Sequence, residues 1–164
     1  MRNTLVALVT LVLLITVSSV AYAQRAVFLV RHADRLDDSK DTPLSKAGEA
    51  RAQLLARLLK DAGVTAIYIT QFQRTIKTAE PLATALKIKP VSIPAADFEG
   101  LLHHIRAENR DGIVLIVGHD SSVPALLKLF GHPEDIKIAG TEYDNLFTLV
   151  PKESGPPTVL RLRY

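Results

Sequence analysis

Three short basic elements carry the residues that could do chemistry. Arg31 and His32 follow an apolar run, Arg74 opens a helical pattern, and His119 follows the β-branched run 113–117. A neutral imidazole can attack phosphorus, and guanidinium groups can hold phosphate oxygens and stabilise their charge. Each element alone is also explained by an ordinary junction between a strand and a loop. The chemistry therefore depends on whether the fold brings the elements together.

The order of the predicted elements places these residues at one edge of a sheet. The carboxyl ends of parallel strands lie along the same edge, where open α/β sheets bind ligands. Two arginines, two histidines and nearby helix N-termini would form a cage for a dianion there. A metal site is a weaker interpretation, because arginines repel a cation and no paired carboxylates accompany the histidines. We expect neither a metal nor a cofactor.

Hydrophobic runs and turn residues predict alternating strands and helices followed by a terminal hairpin. Strands are predicted at 26–30, 64–70, 91–93, 113–117, 146–150 and 158–163, and helices at 45–62, 73–86, 98–109 and 121–130. This order predicts a three-layer α/β/α sandwich. Its central sheet would be mostly parallel, with helices on both faces and a C-terminal antiparallel hairpin.

The helical segments give more detailed expectations. Ser45 is the expected N-cap of the first helix, and Ser121 or Ser122 could cap the last. Pro81 lies inside the second helix and is expected to kink or divide it. The inward stripe of the first helix is predicted from its spacing to be Ala47, Ala50, Leu54, Leu58 and Ala62, widened by Leu55 and Leu59.

The N-terminus and the composition bound the class of protein. Residues 1–23 combine an early Arg2, an apolar stretch and an Ala-Tyr-Ala ending, which predicts a cleaved secretory signal peptide and a single domain over 24–164. An uncleaved membrane anchor is the rival interpretation. The chain has no cysteine, which excludes acylation of a lipoprotein, disulfides and thiolate chemistry. A formal net charge of +3 is too mild to indicate nucleic-acid binding.

Four blocks of the sequence resemble the histidine phosphatase superfamily, which includes the phosphoglycerate mutase-like enzymes. Leu-Val-Arg-His-Ala-Asp at 29–34 resembles its Arg-His-Gly-Glu signature. Thr-Pro-Leu-Ser-Lys-Ala-Gly at 42–48 is similar to the opening of its first helix. The stretch 70–79 resembles its Ser-x-x-x-Arg-x-x-x-Thr-Ala block, and Val-Gly-His-Asp at 117–120 its Val-Gly-His block. The short connections leave no room for a substrate lid. In this respect the chain resembles the small phosphohistidine-phosphatase-like members.

The resemblance implies a reaction and a role for each basic residue. His32 would attack the phosphoryl group and become a phosphohistidine, which water then hydrolyses. Arg31, Arg74 and His119 would bind the non-bridging oxygens. The arginines would supply the charge that Mg²⁺ supplies in other phosphoryl transfer enzymes. The resemblance thus implies metal-independent catalysis.

The chain departs from the family pattern beside the nucleophile. Ala33 replaces a glycine, Asp34 replaces a glutamate, and Arg35 adds a cation at the mouth of the predicted pocket, where it could bind substrate. The general acid that protonates the leaving oxygen is less defined. Asp97 falls in the region where the family carries a carboxylate and Glu99 is the second candidate, although Asp97 is also a good helix N-cap.

Two functions remain open from the sequence. The first is an exported phosphatase, periplasmic or secreted, acting on phosphomonoesters or phosphoramidates of a small molecule, a phosphosugar or a phosphoprotein. The second is a catalytically weak or inactive phosphate-binding module of the same fold. A phosphomutase is less favoured, because its phosphorylated donors are cytoplasmic. No nucleic-acid partner and no stable membrane anchor after signal cleavage are expected. The polar cluster 142–145 could face the pocket or form a turn.

Overall fold

The computed structural model describes residues 25–164 as a six-stranded sheet with helices on both faces. The strands are β1 (Ala26–Arg31), β2 (Ala66–Ile69), β3 (Val91–Ser92), β4 (Ile113–Gly118), β5 (Asn145–Val150) and β6 (Thr158–Arg163), and the helices are α1 (Lys46–Leu59), α2 (Gln73–Leu86), α3 (Phe98–Glu108) and α4 (Ser122–Leu129). The predicted signal peptide lies outside the described residues. Within residues 25–164, no helix has the length and apolar character needed to cross a membrane.

The strand order is β3-β2-β4-β1-β5-β6. Strands β1 to β4 run parallel to one another, whereas β5 is antiparallel to both β1 and β6. The predicted fold class, including the C-terminal antiparallel hairpin, is therefore confirmed. The carboxyl ends of β1, β2 and β4 open on one edge of the sheet.

Alternate residues of the central strands build a separate core on each face. Val27 and Leu29 of β1 pack in the same cluster as apolar residues of α3 and α4. Val30 packs in a second cluster with residues of α1 and α2. Because both faces are covered, β4 is apolar and almost wholly buried along its length, as a central parallel strand requires. The edge formed by the carboxyl ends of β1, β2 and β4 thus belongs to a sheet that is packed on both faces.

The inward face of α1 differs from the predicted one. Leu55 and Leu59 are buried as predicted, but Ala47 and Ala50 are exposed and Leu58 is 49% exposed. The other buried residues of the helix are Gly48, Ala52 and Ala56. Both leucine stripes have helical spacing, so periodicity alone did not select between them. The selection comes from the N-terminal turn, where Gly48 must approach the backbone of the segment after β1.

The structure bears on two further helix expectations. Of the two outcomes expected at Pro81, a kink or a division, the division does not occur, because helix α2 is continuous through Pro81. The Ser121 side chain makes no capping hydrogen bond, and the Ser122 hydroxyl accepts one from the backbone N–H of His119 instead. Ser45 does cap α1, since its hydroxyl accepts from Gly48 N–H as predicted.

Candidate active site

His32 lies immediately after β1, is 4% exposed, and is held in one tautomer. Its Nδ1 lies 2.9 Å from the carbonyl oxygen of Ala33. A carbonyl can only accept, so Nδ1 carries the proton of the neutral ring and Nε2 keeps its lone pair. Burial first, and then positive neighbours including Arg31 and Arg74, lower the pKa of His32 to about 3. His32 is therefore neutral and nucleophilic at Nε2 at ordinary pH.

His119 follows β4, and hydroxyl groups from the end of β2 orient it. Its Nε2 lies 3.1 Å from Thr70 Oγ1, which in turn contacts Thr75 Oγ1 at 3.0 Å. The Thr75 proton is committed to a carbonyl, that of Phe72 or Thr70, so Thr75 accepts the Thr70 proton and Thr70 accepts from His119. Burial lowers the pKa of His119 to about 4. The free site therefore holds two neutral histidines.

Arg31 is almost fully buried and clamps a distant loop. Its NH1 group donates to the carbonyl oxygens of Ala139 and Gly140, each at 2.9 Å, and of Glu142 at 3.1 Å. Its NH2 group lies 3.3 Å from Asp120 Oδ2. Its Nε finds no hydrogen-bond partner among residues 25–164. The Nε–NH2 edge is thus the part of this guanidinium left to bind a phosphate oxygen.

Arg74 occupies the first turn of α2 and is half-buried. Its NH1 donates to the carbonyl of Lys40 at 3.0 Å. Burial lowers the pKa of Arg74, and the charge of Arg35 adds to that effect. Arg35 itself is 40% exposed and forms an ion pair with Asp38, so it contributes positive charge near the cage without contacting the histidines.

Four aromatic rings form a row through the site. His32 and His119 have centroids 5.4 Å apart, Tyr143 lies 5.8 Å beyond His32, and Phe72 lies 5.5 Å beyond His119. Each outer ring also carries an arginine. The guanidinium carbon of Arg31 is 4.1 Å from the Tyr143 centroid, and that of Arg74 is 4.3 Å from the Phe72 centroid.

The site therefore has two similar parts. We call Arg31, His32 and Tyr143 the Arg31 half, and Arg74, His119 and Phe72 the Arg74 half. In each half, one guanidinium lies over an aromatic ring that also contacts a histidine. The predicted convergence of both arginines and both histidines on this edge is observed.

The segment after His32 is fixed by side chains of α2 and by α1. The Ala33 N–H donates to Thr78 Oγ1 at 2.8 Å, and that hydroxyl donates to the Arg74 carbonyl at 2.7 Å. Ala33 is not among the residues with positive φ, and its side chain is fully buried beside Leu44 and Ala52, so alanine suits this position. A Cβ on Gly48 would lie 2.1 Å from the Asp34 carbonyl oxygen, which explains the glycine there.

Asp34 supports the site from outside. It pairs with Arg51 at 2.6 Å, and Arg51 also donates to the main-chain oxygen of Tyr164 at 2.8 Å. Its carbonyl accepts the Ser45 N–H at the start of α1. The acidic residue of the signature is thus structural in this chain.

The carboxylates near the site differ from the sequence expectation, which named Asp97 and Glu99 as candidates for the general acid. Asp97 is exposed, and its Oδ1 accepts from Gly100 N–H at 2.8 Å, so it caps α3. Glu99 is exposed in the first turn of that helix. Asp120 contacts Arg31, and its charge acts on both His119 and Arg74. Sequence reasoning missed Asp120 as a cage residue.

Tyr143, Thr70, Thr78 and Ser122 were likewise not assigned a role in the site from the sequence, although Ser122 was a candidate helix cap and Tyr143 belonged to the polar cluster 142–145. The three hydroxyl residues lie inside or beside the family-like blocks, so hydrogen-bonding capacity within those blocks was the available signal. Tyr143 had a weaker signal, its place in the polar cluster before β5.

A cavity of about 20 Å³, enough for about one water, lies beneath the site between the end of β2 and α3.

The described part of the chain contains no cluster of three or more His, Cys, Asp or Glu side chains that could hold a metal ion. The donors that converge on the site are imidazole, guanidinium and hydroxyl groups, a set suited to an anion.

Comparison with known proteins shows a similarity to one family over part of the chain. Residues 27–99 match the model of the histidine phosphatase superfamily (branch 1). Over 75 residues the chain is 35% identical to a probable phosphoglycerate mutase GpmB of Yersinia enterocolitica and equally to that of Proteus mirabilis. Each match covers 42% of this chain and spans only about a third (35%) of the relative.

The fold also matches solved structures. The protein histidine phosphatase SixA complexed with tungstate superposes with a TM-score of 0.66 at 22% identity, covering 84% of this chain and 96% of that one. A mycobacterial glucosyl-3-phosphoglycerate phosphatase gives 0.66 at 13% identity, covering 85% and 98%. At these identities the similarity concerns the fold. The similarity to the histidine phosphatase superfamily in sequence therefore extends over residues 27–99, and the similarity in fold extends over most of the chain.

Proposed function

We propose that this chain is an exported phosphatase that hydrolyses phosphomonoesters or phosphoramidates through a phosphohistidine on His32. The observation that carries the proposal is the state of His32. The ring is neutral, its Nδ1 proton is held by the Ala33 carbonyl, and its Nε2 lone pair is free within a site that also contains two guanidinium groups. A nucleophile and its charge-stabilising partners are therefore preorganised together.

The reaction proceeds in two displacements. In the first, His32 Nε2 attacks phosphorus, the bond from phosphorus to the leaving oxygen or nitrogen breaks, and the leaving group takes a proton. In the second, water attacks phosphorus, the P–N bond breaks, and inorganic phosphate leaves as Nε2 regains its lone pair. Arg31, Arg74 and His119 stabilise the charge on the non-bridging oxygens in both steps.

His119 contributes more once an anion has bound. In the free site it is neutral and donates toward Thr70. A bound dianion favours the imidazolium form, which donates from both nitrogens and adds a positive charge beside the phosphate. The site therefore needs no metal ion to balance a dianion, and chelators should leave its activity unchanged.

Short connections around the site favour a substrate whose phosphate is exposed, such as a phosphosugar or a phosphorylated protein side chain. The segment between α2 and β3 is only four residues long, and that between β3 and α3 is five.

Export belongs to the proposal as well and rests on residues 1–23. Fractionation of cells expressing the full chain, with mass determination of the product, tests it: a processed chain beginning at Gln24 outside the cytoplasm supports export, and an intact chain in the cytoplasm contradicts it.

Labelling tests the covalent step. We expect wild-type protein incubated with a ³²P-labelled aryl phosphate to retain label that is stable in alkali and lost in acid, as a phosphoramidate is. His32→Ala should abolish the label and lower kcat/KM by about 10⁴-fold or more. His104→Ala, which changes a histidine on α3 outside the cage, is the matched control. Label that persists in His32→Ala would overturn the proposal.

A phosphate-binding module without turnover is the second candidate. It is favoured by one observation, namely that Asp97, the first candidate for the general acid, is engaged as a helix cap. It requires tight binding of inorganic phosphate with no hydrolysis of either an aryl phosphate or a phosphoramidate. The mutase activity named for the GpmB relatives would instead appear as transfer of label from His32 to an added phosphoglycerate.

A further inference from the structure

We propose that Tyr143 and Phe72 are positioning residues, each of which holds one arginine of the cage flat against an aromatic ring and in register with one histidine. The inference rests on the proposed phosphatase function and assigns a role to two residues outside the reacting groups. Neither side chain belongs to the basic elements that define the site.

The contacts on the two sides are closely alike. The Arg31 guanidinium lies 4.1 Å from the Tyr143 centroid, and the Arg74 guanidinium lies 4.3 Å from the Phe72 centroid. Both distances are within the range of a cation–π interaction. A guanidinium stacked on a ring face has its N–H groups directed outward in the plane of the group, where they can bind phosphate oxygens.

Each ring also contacts the histidine of its own half. Tyr143 lies 5.8 Å from His32 at 51°, and Phe72 lies 5.5 Å from His119 at 84°. These are ordinary separations for paired aromatic rings. The same ring therefore limits the movement of a guanidinium and an imidazole, so that the two groups keep a fixed separation.

The two rings are anchored by different means. Phe72 is the N-cap residue of α2, two residues before Arg74. Tyr143 follows a loop whose carbonyls accept from Arg31 NH1. Arg31 thus holds the loop that brings Tyr143 to it. Both rings are half-buried, which excludes part of the water from the histidines and is consistent with their neutral state.

A set of paired substitutions tests the inference. We would measure the dissociation constant of inorganic phosphate, together with kcat and KM for an aryl phosphate. Tyr143→Leu and Phe72→Leu should each weaken phosphate binding by about 2- to 30-fold, the range expected for loss of one cation–π contact. Tyr143→Phe should remain within about twofold of wild type, because the ring and not the hydroxyl carries the effect. Phe98→Leu, which alters a half-buried ring on α3, is the matched control.

A double-mutant cycle separates positioning from a general loss of structure. In an Arg31→Ala background, Tyr143→Leu should have no further effect on phosphate affinity, whereas in an Arg74→Ala background its effect should persist. If Tyr143→Leu shows no cooperative thermal unfolding transition and is therefore not folded, the pair Phe72→Leu and Arg74→Ala gives the same test. Phosphate affinity unchanged in the leucine variants, or an effect of Tyr143→Leu that persists without Arg31, would overturn the inference. Absence of both phosphate binding and hydrolysis in the wild type would instead overturn the proposed function.

Discussion

The Arg31 half and the Arg74 half of the site use the same groups but are assembled differently. In the Arg74 half, Phe72 and Arg74 are two residues apart, and Thr70 and Thr75, which orient His119, are five apart. In the Arg31 half, the clamp on the loop spans 108 to 111 residues of chain. In the Arg74 half the arginine and its ring therefore come from one short segment at the start of α2, whereas in the Arg31 half only tertiary contact joins the arginine to its ring. Equal chemistry does not require equal structural support.

Removing one arginine from each half should expose this difference most strongly. We expect Arg31→Ala and Arg74→Ala each to lower kcat/KM by about 10²- to 10³-fold, because each deletes a group that stabilises transition-state charge. Only Arg31→Ala should also destabilise the fold, by about 2–4 kcal/mol, since it leaves three carbonyls and the Asp120 carboxylate without their donor. Arg74 is half-buried and donates to one carbonyl, so its loss should cost less than about 1 kcal/mol.

Steady-state kinetics and urea denaturation of the two variants check this prediction. An equal loss of unfolding free energy in both would show that the loop clamp contributes nothing to the fold, and the contrast between the halves would then fail.

Acid should weaken the fold through one histidine in each half. Burial lowers the pKa of His32 to about 3 and that of His119 to about 4, whereas an unfolded histidine titrates near 6.5. Below about pH 6.5 the unfolded chain therefore binds protons that the folded chain does not. Unfolding free energy should fall with decreasing pH by up to about 1.4 kcal/mol per unit for each histidine. The contribution of His119 should end near pH 4 and that of His32 near pH 3.

Urea denaturation from pH 7 to 4, in wild type, His32→Asn and His119→Asn, measures the two slopes. Each variant should have a shallower dependence than wild type across that window. A slope unaffected by either substitution would mean that the histidines are protonated in the folded chain.

Removing a carboxylate should have the smallest effect and the opposite sign. Asp120 contacts the NH2 group of Arg31 and would repel a dianion there. We expect Asp120→Asn to tighten the binding of inorganic phosphate by about 3- to 10-fold, a modest share of the repulsion between close charges near a protein surface. Asp97→Asn should leave phosphate binding unchanged, because asparagine caps a helix as well as aspartate does and Asp97 is outside the cage.

Competition by inorganic phosphate in a turnover assay gives the phosphate affinities of Asp120→Asn and Asp97→Asn. The same variants, together with Glu99→Gln, identify the general acid. Loss of the general acid should slow hydrolysis of an alkyl phosphate by about 10²-fold or more, and should leave hydrolysis of an aryl phosphate with a good leaving group unchanged. Weaker phosphate binding in Asp120→Asn would show that this carboxylate orients Arg31 rather than competing for it.

The sequence was sufficient for the parts of the site that follow regular elements. His32, Arg74 and His119 were predicted to converge because strand ends of a parallel sheet must meet at one edge, and they do. Tyr143 was not assigned a role, because residues 131–144 have no periodicity and the position of that loop depends on long-range contacts, among them those of Arg31 and Arg163. The predicted face of α1 was only partly right for a related reason: Leu55 and Leu59 are buried as predicted, but the stripe of Leu54 and Leu58 has the same spacing. The close approach of Gly48 to Asp34 favours the face that carries Leu55.

The long reach of Arg31 also sets the order in which the molecule can become functional. The parallel pairing of β1 to β4 and the Arg74 half require nothing beyond residue 119, but the loop that completes the Arg31 half lies 108 to 111 residues after its anchor. Contacts of such separation are slow to form, because the entropy of closing the intervening chain must be lost first. The phosphate cage is therefore among the last parts of the domain to be finished. A chain that has begun to fold but has not docked its final hairpin lacks a complete cage, so that phosphate affinity reports arrival at the native state.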